Sequence, residues 1–226
     1  ILPHVIGWVS LGGVVGMGLG VYWLIIPPPY PKVLFTFVVT AFGLALALAR
    51  WGLKWSPRTD ISGWDNRYRL IFSLIGLGGG VLAANIGSGI NMLTFMVLTL
   101  AFGVDERISI PTTVVIMALN SIVGFFIYGA LVQNIGIVWS YWVVALPIII
   151  VGAPLGAYVA SLLKRDHLIV FVLGFIGLEL ATTIWLVQFD SKMIVVTIIA
   201  TLICAVWFWV MLRYRQKSAQ EPVVSS

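Results

Sequence analysis

The apolar stretch from residue 70 to 102 is interrupted by the sequence Asn85-Ile86-Gly87-Ser88-Gly89-Ile90-Asn91. As one helix, its 33 residues would extend for about 50 Å at about 1.5 Å per residue. That length is too great for a single crossing of a hydrocarbon core about 30 Å thick. Because a Gly-Ser-Gly flanked by asparagines breaks a helix, the sequence predicts two short helices joined by an unwound turn at residues 85–89.

The rest of the chain has the composition of an integral membrane protein. Of its 226 residues 61% are hydrophobic and 9% are charged, and the mean hydropathy is +1.08, whereas about a quarter of a soluble domain is charged. Six further apolar stretches are long enough to cross a bilayer as helices, at residues 5–26, 32–50, 110–131, 137–163, 168–187 and 193–212. Since they do not alternate in ten-residue units, they argue against an outer-membrane β-barrel. We predict an all-α membrane protein with about six transmembrane helices and one broken or re-entrant helical hairpin.

The distribution of lysine and arginine indicates how the broken stretch is arranged. If it enters the membrane and returns to the same side, eleven of the thirteen basic residues lie on one side, and only Lys32 and Lys192 lie on the other. If it crosses once, the basic residues divide almost evenly between the sides. The positive-inside rule favours the asymmetric arrangement. We therefore expect a re-entrant hairpin, with both ends of this chain in the cytoplasm.

An internal similarity suggests an inverted-repeat transporter architecture with an incomplete first repeat. Shifting the chain by 136 positions aligns residues 16–22, Gly-Met-Gly-Leu-Gly-Val-Tyr, with residues 152–158, Gly-Ala-Pro-Leu-Gly-Ala-Tyr. In the hairpin topology these two helices run in opposite directions, as in the inverted repeats of secondary transporters. Small-residue spacing also occurs at ordinary helix packing faces, which is the alternative explanation.

The repeat hypothesis divides the chain into five parts. Residues 1–54 form the last two helices of the first repeat, 55–68 a cytoplasmic loop and 69–188 the second repeat. Residues 189–213 add one helix, and 214–226 form a disordered tail. The first repeat lacks a hairpin and a helix, so we expect a missing N-terminal half or a partner chain. Two assemblies are then open: a homo-oligomer, or a larger membrane complex that includes this chain.

The predicted turn is the best candidate for a binding site. Unwound backbone inside a membrane must be buried in protein or line a polar cavity, because lipid cannot satisfy its hydrogen-bonding groups. The free N–H groups and positive end of the following helix favour an anion near the midplane. The candidate substrate-binding residues are Asn85, Gly87, Ser88, Gly89 and Asn91, with Thr112, Thr113 and Asn120 from the next helix. Alternatively, the glycines only permit close packing, the asparagines cap the break, and the threonines bond to their own helix.

Glu179 is the acidic residue in the middle of an apolar helix, which makes it a proton-coupling candidate or a neutral structural acid. The chain has one cysteine, Cys204, and two separated histidines, so we predict no metal site. We find no nucleophile with a base and no phosphate loop. We therefore expect no enzyme activity, no catalytic residues, no cofactor and no nucleic-acid partner, since the positive charge flanks membrane helices.

Taken together, these motifs resemble the sulfite exporter (TauE/SafE) family of membrane transporters. The resemblance covers the break at Gly87-Ser88-Gly89, the pair Thr112-Thr113, Asn120-Ser121, the Gly-Ala-Pro-Leu-Gly-Ala stretch at 152–157 and the basic turn Lys164-Arg165. Residues 5–50 resemble the end of the family's first half. The resemblance implies a multi-pass protein of a prokaryotic inner membrane that exports small sulfur-containing anions such as sulfite, thiosulfate or sulfonates. Two other functions remain open at this point: a non-transporting subunit of a larger complex, and a passive anion channel.

Overall fold

The structure is a computed structural model that describes residues 1–27, 29–52, 58–61, 64–132, 136–187 and 190–220. Its regular elements are helices, in the order α1 (Pro3–Tyr22), α2 (Tyr30–Ala47), α3 (Asn66–Ile86), α4 (Ile90–Met96), α5 (Glu106–Phe126), α6 (Gly136–Leu162), α7 (Arg165–Leu186) and α8 (Ser191–Gln220). Helices α2, α4 and α5 continue as π-helical turns over Leu48–Gly52, Val97–Ala101 and Ile127–Val132.

The predicted all-α membrane fold is confirmed. Among the described residues, six helical segments are long and apolar enough to cross a bilayer: Pro3–Tyr22, Tyr30–Trp51, Asn66–Ile86, Glu106–Gly129, Asp166–Leu186 and Met193–Val210. The prediction of two short helices around the break is wrong for the first of them. Helix α3 has 21 residues, which is full crossing length, and only the returning arm is short.

Helices α3 and α4 form a hairpin that returns to the end of the molecule from which it started. The backbone N–H of Arg58, before α3, donates to the Gly103 carbonyl over 2.8 Å, and the N–H of Asp105 donates to the Arg58 carbonyl over 2.9 Å. Farther along, the rings of Phe72 and Phe102 stack with centroids 5.3 Å apart. We call the end near Arg58 the base of the hairpin and the turn at residues 87–89 its tip.

Positive charges gather at the base, as the loop-charge argument predicted. Arg50, after α2, forms an ion pair with Asp166 at the start of α7, with 2.7 Å between Nη2 and Oδ1. The Nη2 of Arg107, in the first turn of α5, donates to the Leu163 carbonyl at the end of α6 over 2.9 Å. These contacts place the ends of α2 and α6 and the starts of α5 and α7 beside the base.

Helices α1 and α3 pack with their backbones in contact. A Cβ atom on Gly16 would collide with the Leu77 carbonyl, and one on Gly20 would lie 2.6 Å from the Ala84 Cβ. Gly76 and Gly80 face α1 in the same way. Small residues at such an interface allow close van der Waals packing where lipid supplies no hydrophobic driving force. This packing holds the longer arm of the hairpin rigidly against α1.

The two segments of the suggested repeat are packed differently. Gly16 and Gly20 of α1 touch α3, whereas a Cβ atom on Gly152 or Gly156 of α6 would meet no atom of the described chain within 4 Å. Helix α1 starts near the base, since the His4 and Trp64 ring centroids are 5.4 Å apart, and α6 ends there. The two helices therefore run in opposite directions, as an inverted repeat requires.

Two predictions about helix ends need correction. Helix α8 continues to Gln220, into the segment predicted as a disordered tail, while residues 221–226 lie outside the described residues. Residues 55–57 and 62–63 of the predicted loop 55–68 also lie outside the described residues. Helix α5 begins at Glu106 and is capped by Asp105, whose Oδ1 accepts from the Arg107 N–H over 2.9 Å. The helix thus begins four residues before the apolar stretch 110–131 that the sequence indicated, and Ser109 lies inside it.

Candidate functional site

The tip of the hairpin is built from two glycines with left-handed backbone. Gly87 has φ = 81° and its N–H donates to the Ala83 carbonyl over 2.8 Å, which ends α3. Gly89 has φ = 152°, and its carbonyl accepts from the Leu93 N–H over 2.9 Å, which starts α4. Side chains with a Cβ rarely adopt either conformation. The predicted break at Gly87-Ser88-Gly89 is confirmed, although Asn85 and Ile86 still belong to α3.

Two cavities flank the tip, and Ser88 lines both. The larger cavity has a volume of about 1180 Å³ and lies between the hairpin and helices α2, α5, α6 and α7. The smaller cavity, of about 580 Å³, lies between α1, the end of α3, α5 and α6. From α4, Asn91 and Met92 line the larger cavity and Ile90 lines the smaller one. From the last turn of α3, Asn85 and Ile86 line the larger cavity, and Ala83 and Ala84 line the smaller one.

The wall of the larger cavity is apolar with a few polar groups. Aromatic and aliphatic side chains dominate it, among them Phe35, Phe171 and Phe175. Its polar residues are Lys32, Asn85, Ser88, Asn91, Thr113 and Glu179. A mostly apolar cavity with a small number of converging polar groups is the usual form of a small-molecule site.

Asn85 anchors the loop that follows α1. Its Oδ1 accepts from the Ile26 N–H over 2.8 Å, and its Nδ2 donates to the Leu24 carbonyl over 3.0 Å and to the Val81 carbonyl over 2.9 Å. The amide group of this predicted site residue is thus committed to backbone partners. These bonds also place the tip beside the loop between α1 and α2, whereas the sequence placed it near the midplane.

Asn91 and Ser88 supply hydrogen-bond donors to the larger cavity. The Oδ1 of Asn91 accepts from the Gly89 N–H over 3.4 Å, and Asn91 lines the larger cavity with no described hydrogen bond from its Nδ2. Ser88 is half-buried, and its hydroxyl has no hydrogen bond to any described residue. Together with the start of the helical segment Ile90–Ala101, they form the most anion-compatible part of the wall.

The three predicted residues of α5 are placed in three different surroundings. Thr113 lines the larger cavity and donates to the Ile110 carbonyl over 2.9 Å. Thr112 lines neither cavity, because its Oγ1 donates to Ile108 and accepts from the Leu2 N–H over 3.1 Å. Asn120 lies in the wall of the smaller cavity. The tip separates Thr113 from Asn120, although the two share one face of α5.

Glu179 belongs to a polar cluster between α2 and α7. The Thr36 hydroxyl lies 3.2 Å from Glu179 Oε1, 3.1 Å from the Thr183 hydroxyl and 3.0 Å from the Lys32 carbonyl. Thr36 and Thr183 are buried, while Glu179 lines the larger cavity. Because one hydroxyl donates only one proton, Thr36 satisfies either the Glu179 carboxylate or the Lys32 carbonyl at a given moment.

Three residues of the site were missed in the sequence: Lys32, Thr36 and Thr183. In the sequence, Lys32 serves only as evidence for topology. The signal that could have revealed the others is spacing, since Lys32 and Thr36, like Glu179 and Thr183, are four residues apart in apolar helices and share a face.

Comparison with known proteins agrees with the geometry. The model of the sulfite exporter TauE/SafE family matches residues 2–183, which include the hairpin, both cavities and the Glu179 cluster. The match ends before α8. No curated protein and no solved structure matches the chain. Since the family model covers well over half of the chain, the protein belongs to the sulfite exporter TauE/SafE family.

Proposed function

We propose that this protein is a secondary transporter of small sulfur-containing anions such as sulfite, thiosulfate or sulfonates, and that it exports them. The observation that carries the proposal is the broken hairpin, which directs the start of α4 and the donors of Ser88 and Asn91 into the larger cavity. Discontinuous helices of this kind bind anionic groups in secondary transporters.

The polar groups in the wall of the larger cavity favour an anion that binds weakly enough to be released. Ser88, Asn91 and Thr113 are neutral, so their hydrogen bonds to an oxyanion are weaker than those of a buried arginine. Lys32, in the first turn of α2, is exposed and lines the same cavity. Its charge raises the local concentration of anions without fixing one of them.

Glu179 supports coupling to protons. An anion in the larger cavity and an ionised Glu179 would repel each other, so the protonated acid is the state compatible with a bound anion. The Thr36 hydroxyl has a hydrogen-bond acceptor in both states, since it donates to the carboxylate of ionised Glu179 or, when Glu179 is protonated, to the Lys32 carbonyl. In this proposal an anion and a proton move together, so net export requires that the outward driving force on the anion exceed any inward driving force on the proton.

Orientation and partners complete the proposal. We place the positively charged base, and with it the end of α8, in the cytoplasm of a prokaryotic cell. The missing half of the first repeat, on an upstream segment or a partner chain, would pack on α6 at Gly152, where an added Cβ atom would meet no described atom within 4 Å. Replacing Gly152 by tryptophan should then release a co-purifying partner, and retention of that partner would contradict this contact.

Transport in proteoliposomes tests the function. Labelled sulfite should enter or leave with saturation, respond to an imposed proton gradient, and be inhibited by thiosulfate or sulfonates more strongly than by carboxylates. Flux that rises linearly with concentration and ignores the proton gradient would identify a passive channel. Absence of flux for every sulfur anion would contradict the proposal.

A further inference from the structure

We propose that the anion bound in the larger cavity carries an apolar chain, so that an alkanesulfonate such as hexanesulfonate binds there more tightly than methanesulfonate. The inference rests on the proposed anion site at the tip and names the substrate class of that site. The observation that carries it is the separation of polar and apolar groups along the cavity.

The larger cavity offers more space than a small inorganic anion fills. Its volume is about 1180 Å³, and cavities of about 300 to 1,000 Å³ already enclose ligands of drug size. A sulfite ion, with one sulfur and three oxygen atoms, would contact only a small part of the wall. Because apolar wall left in contact with water is unfavourable, the cavity favours a ligand that also covers this surface.

The polar groups lie at the end of the cavity that is away from the base. Helix α7 starts at the base, and Glu179 lies about 21 Å along it at about 1.5 Å per residue. Helix α2 ends at the base, and Lys32 lies about 22 Å before that end. The helical segment Ile90–Ala101 also returns to the base, over about 18 Å. Ser88 and Asn91 therefore lie near the level of Glu179.

The part of the cavity toward the base is apolar. Phe175 and Phe171 of α7 line it, about one and two turns from Glu179. Their rings pack edge to face, with centroids 4.8 Å apart. Leu168 is the lining residue of α7 nearest the base, and the distance along the helix from Phe175 to Leu168 is about 10 Å. An extended hexyl chain is shorter than this span.

Helices α5 and α6 add few polar groups to this part. Leu155, Val159 and Leu163 of α6 line the cavity and approach the base, where α6 ends. Among the described lining residues, Thr113 of α5 is the polar one at this depth, and its hydroxyl already donates to the Ile110 carbonyl over 2.9 Å. An oxyanion thus finds its hydrogen-bond donors at the tip, and the apolar part is left for a chain.

The apolar part is closed on one side and open on the other. Leu168, Ile176 and Phe95 are buried in its floor, whereas Phe171 and Phe175 are 60% and 57% exposed. A chain lying against the two phenylalanines would meet protein on one side and the interior of the bilayer on the other. Both surroundings remove its CH₂ groups from water, which is favourable for a ligand that arrives from solution.

The charges of the cavity require an anionic head group on this chain. Lys32 and Glu179 are the charged residues among the described lining residues. When Glu179 is protonated, as the proposed function requires for anion binding, Lys32 and the start of the helical segment Ile90–Ala101 leave the polar end positive. A neutral alcohol with the same chain gains nothing from these charges.

The experiment is equilibrium binding of ³⁵S-labelled hexanesulfonate to the full chain in lipid nanodiscs, with methane-, butane- and hexanesulfonate as competitors. Empty nanodiscs measure partition into lipid, which does not saturate. We expect saturable binding whose apparent Kd falls along the series, by up to about fourfold for each added methylene, which corresponds to about 0.8 kcal/mol per buried CH₂. 1-Hexanol, which has the chain without the charge, should not compete at the same concentrations.

Two variants locate the chain in the cavity. Phe171→Ala should reduce the dependence on chain length, because it removes one of the two rings that the chain contacts. Phe126→Ala is the matched control, since Phe126 of α5 is 67% exposed but lines neither cavity. This control should keep the wild-type dependence on chain length.

Equal affinity of the wild type for methanesulfonate and hexanesulfonate would overturn the inference, and so would the absence of saturable binding. Equal competition by 1-hexanol would also overturn it and indicate a cavity that takes lipid acyl chains. An unchanged dependence on chain length in Phe171→Ala would contradict the assigned place of the chain, and the wild-type series decides the question if no variant folds. Saturable sulfite flux with a flat series would overturn the apolar chain alone, whereas a steep series without any flux would contradict transport and leave this binding site intact.

Discussion

The side-chain Oδ1 of Asn85 accepts a hydrogen bond from the backbone N–H of Ile26, with 2.8 Å between the two atoms. This bond ties the end of α3 to the loop between α1 and α2, 59 residues away in sequence. The position of the tip thus depends on a contact from outside the hairpin. Asn85 acts first as a positioning residue for the site.

Replacing Asn85 by alanine should therefore destabilise the protein more than it changes its choice of anion. The variant loses three hydrogen bonds and leaves the Ile26 N–H without its acceptor, so we expect a loss of about 1 to 3 kcal/mol. Thermal unfolding in detergent measures this as a lower Tm. Asn85→Asp keeps the acceptor for the Ile26 N–H but places a negatively charged carboxylate oxygen against the Leu24 carbonyl oxygen. This repulsion should also lower the Tm. A wild-type Tm in both variants would contradict this role.

Replacing Gly80 by valine should separate α1 from α3. A Cβ atom at Gly80 would lie 2.8 Å from the Met17 backbone nitrogen and closer still to the Gly13 carbonyl, so we expect a loss of about 3 kcal/mol. Gly78→Val is the matched control, because a Cβ atom there meets nothing within 4 Å. The yield of monodisperse protein should fall for Gly80→Val alone. Equal yields would show that the two helices do not touch as described.

Local sequence signals are sufficient to locate the tip of the hairpin. Gly87 and Gly89 indicate the break in the sequence, because no other residue type adopts a backbone with positive φ at so little conformational cost. The sequence predicts Asn85 in the turn, yet its backbone is helical, and its Nδ2 donates to the Val81 carbonyl of the same helix. The other partners of the Asn85 side chain are Leu24 and Ile26, which are remote in sequence. No local sequence pattern therefore predicts these hydrogen bonds.

The candidate site was predictable only in part for a similar reason. Thr113 and Asn120 share a face of α5, and periodicity alone assigned them to one wall. The returning arm of the hairpin lies between the surroundings of Thr113 and those of Asn120. How deeply this arm enters the protein depends on tertiary packing and not on local sequence. Likewise, Thr36 was indistinguishable from any helical threonine until packing brought it 3.2 Å from Glu179.

Labelling of single cysteines tests the return of the hairpin. In a Cys204→Ala background, Arg67→Cys at the start of α3 and Arg107→Cys at the start of α5 should react with an impermeant thiol reagent from the same side. Both positions are exposed near the base. Trp23→Cys, at the other end of α1 and 84% exposed, should react from the opposite side. Labelling of positions 67 and 107 from opposite sides would mean that residues 66–101 cross the membrane once.

Replacing Glu179 by glutamine should uncouple transport from protons. Glutamine keeps the shape of the acid but does not titrate, so sulfite flux should stop responding to an imposed proton gradient while passive exchange continues. Thr36→Val should weaken the same response, because it removes the hydroxyl that serves Glu179. Thr182→Val is the control, since among the described residues the Thr182 hydroxyl bonds to the Glu179 backbone carbonyl, over 3.0 Å, and not to its carboxyl group. A wild-type response in Glu179→Gln would exclude this residue as the proton site.

Flux of labelled sulfite through a Ser88→Leu and Asn91→Leu double variant tests the anion site at the hairpin tip most directly. Both substitutions remove cavity donors while leaving Asn85 and the packing glycines in place. Thr201→Val on α8, whose hydroxyl bonds to the Thr197 carbonyl over 2.7 Å, serves as the control outside the cavity. We expect saturable flux in the wild type and the control, and less than about a tenth of it in the double variant, since about 1.4 kcal/mol of lost binding is tenfold. Full flux in a correctly folded double variant would contradict an anion site at the tip.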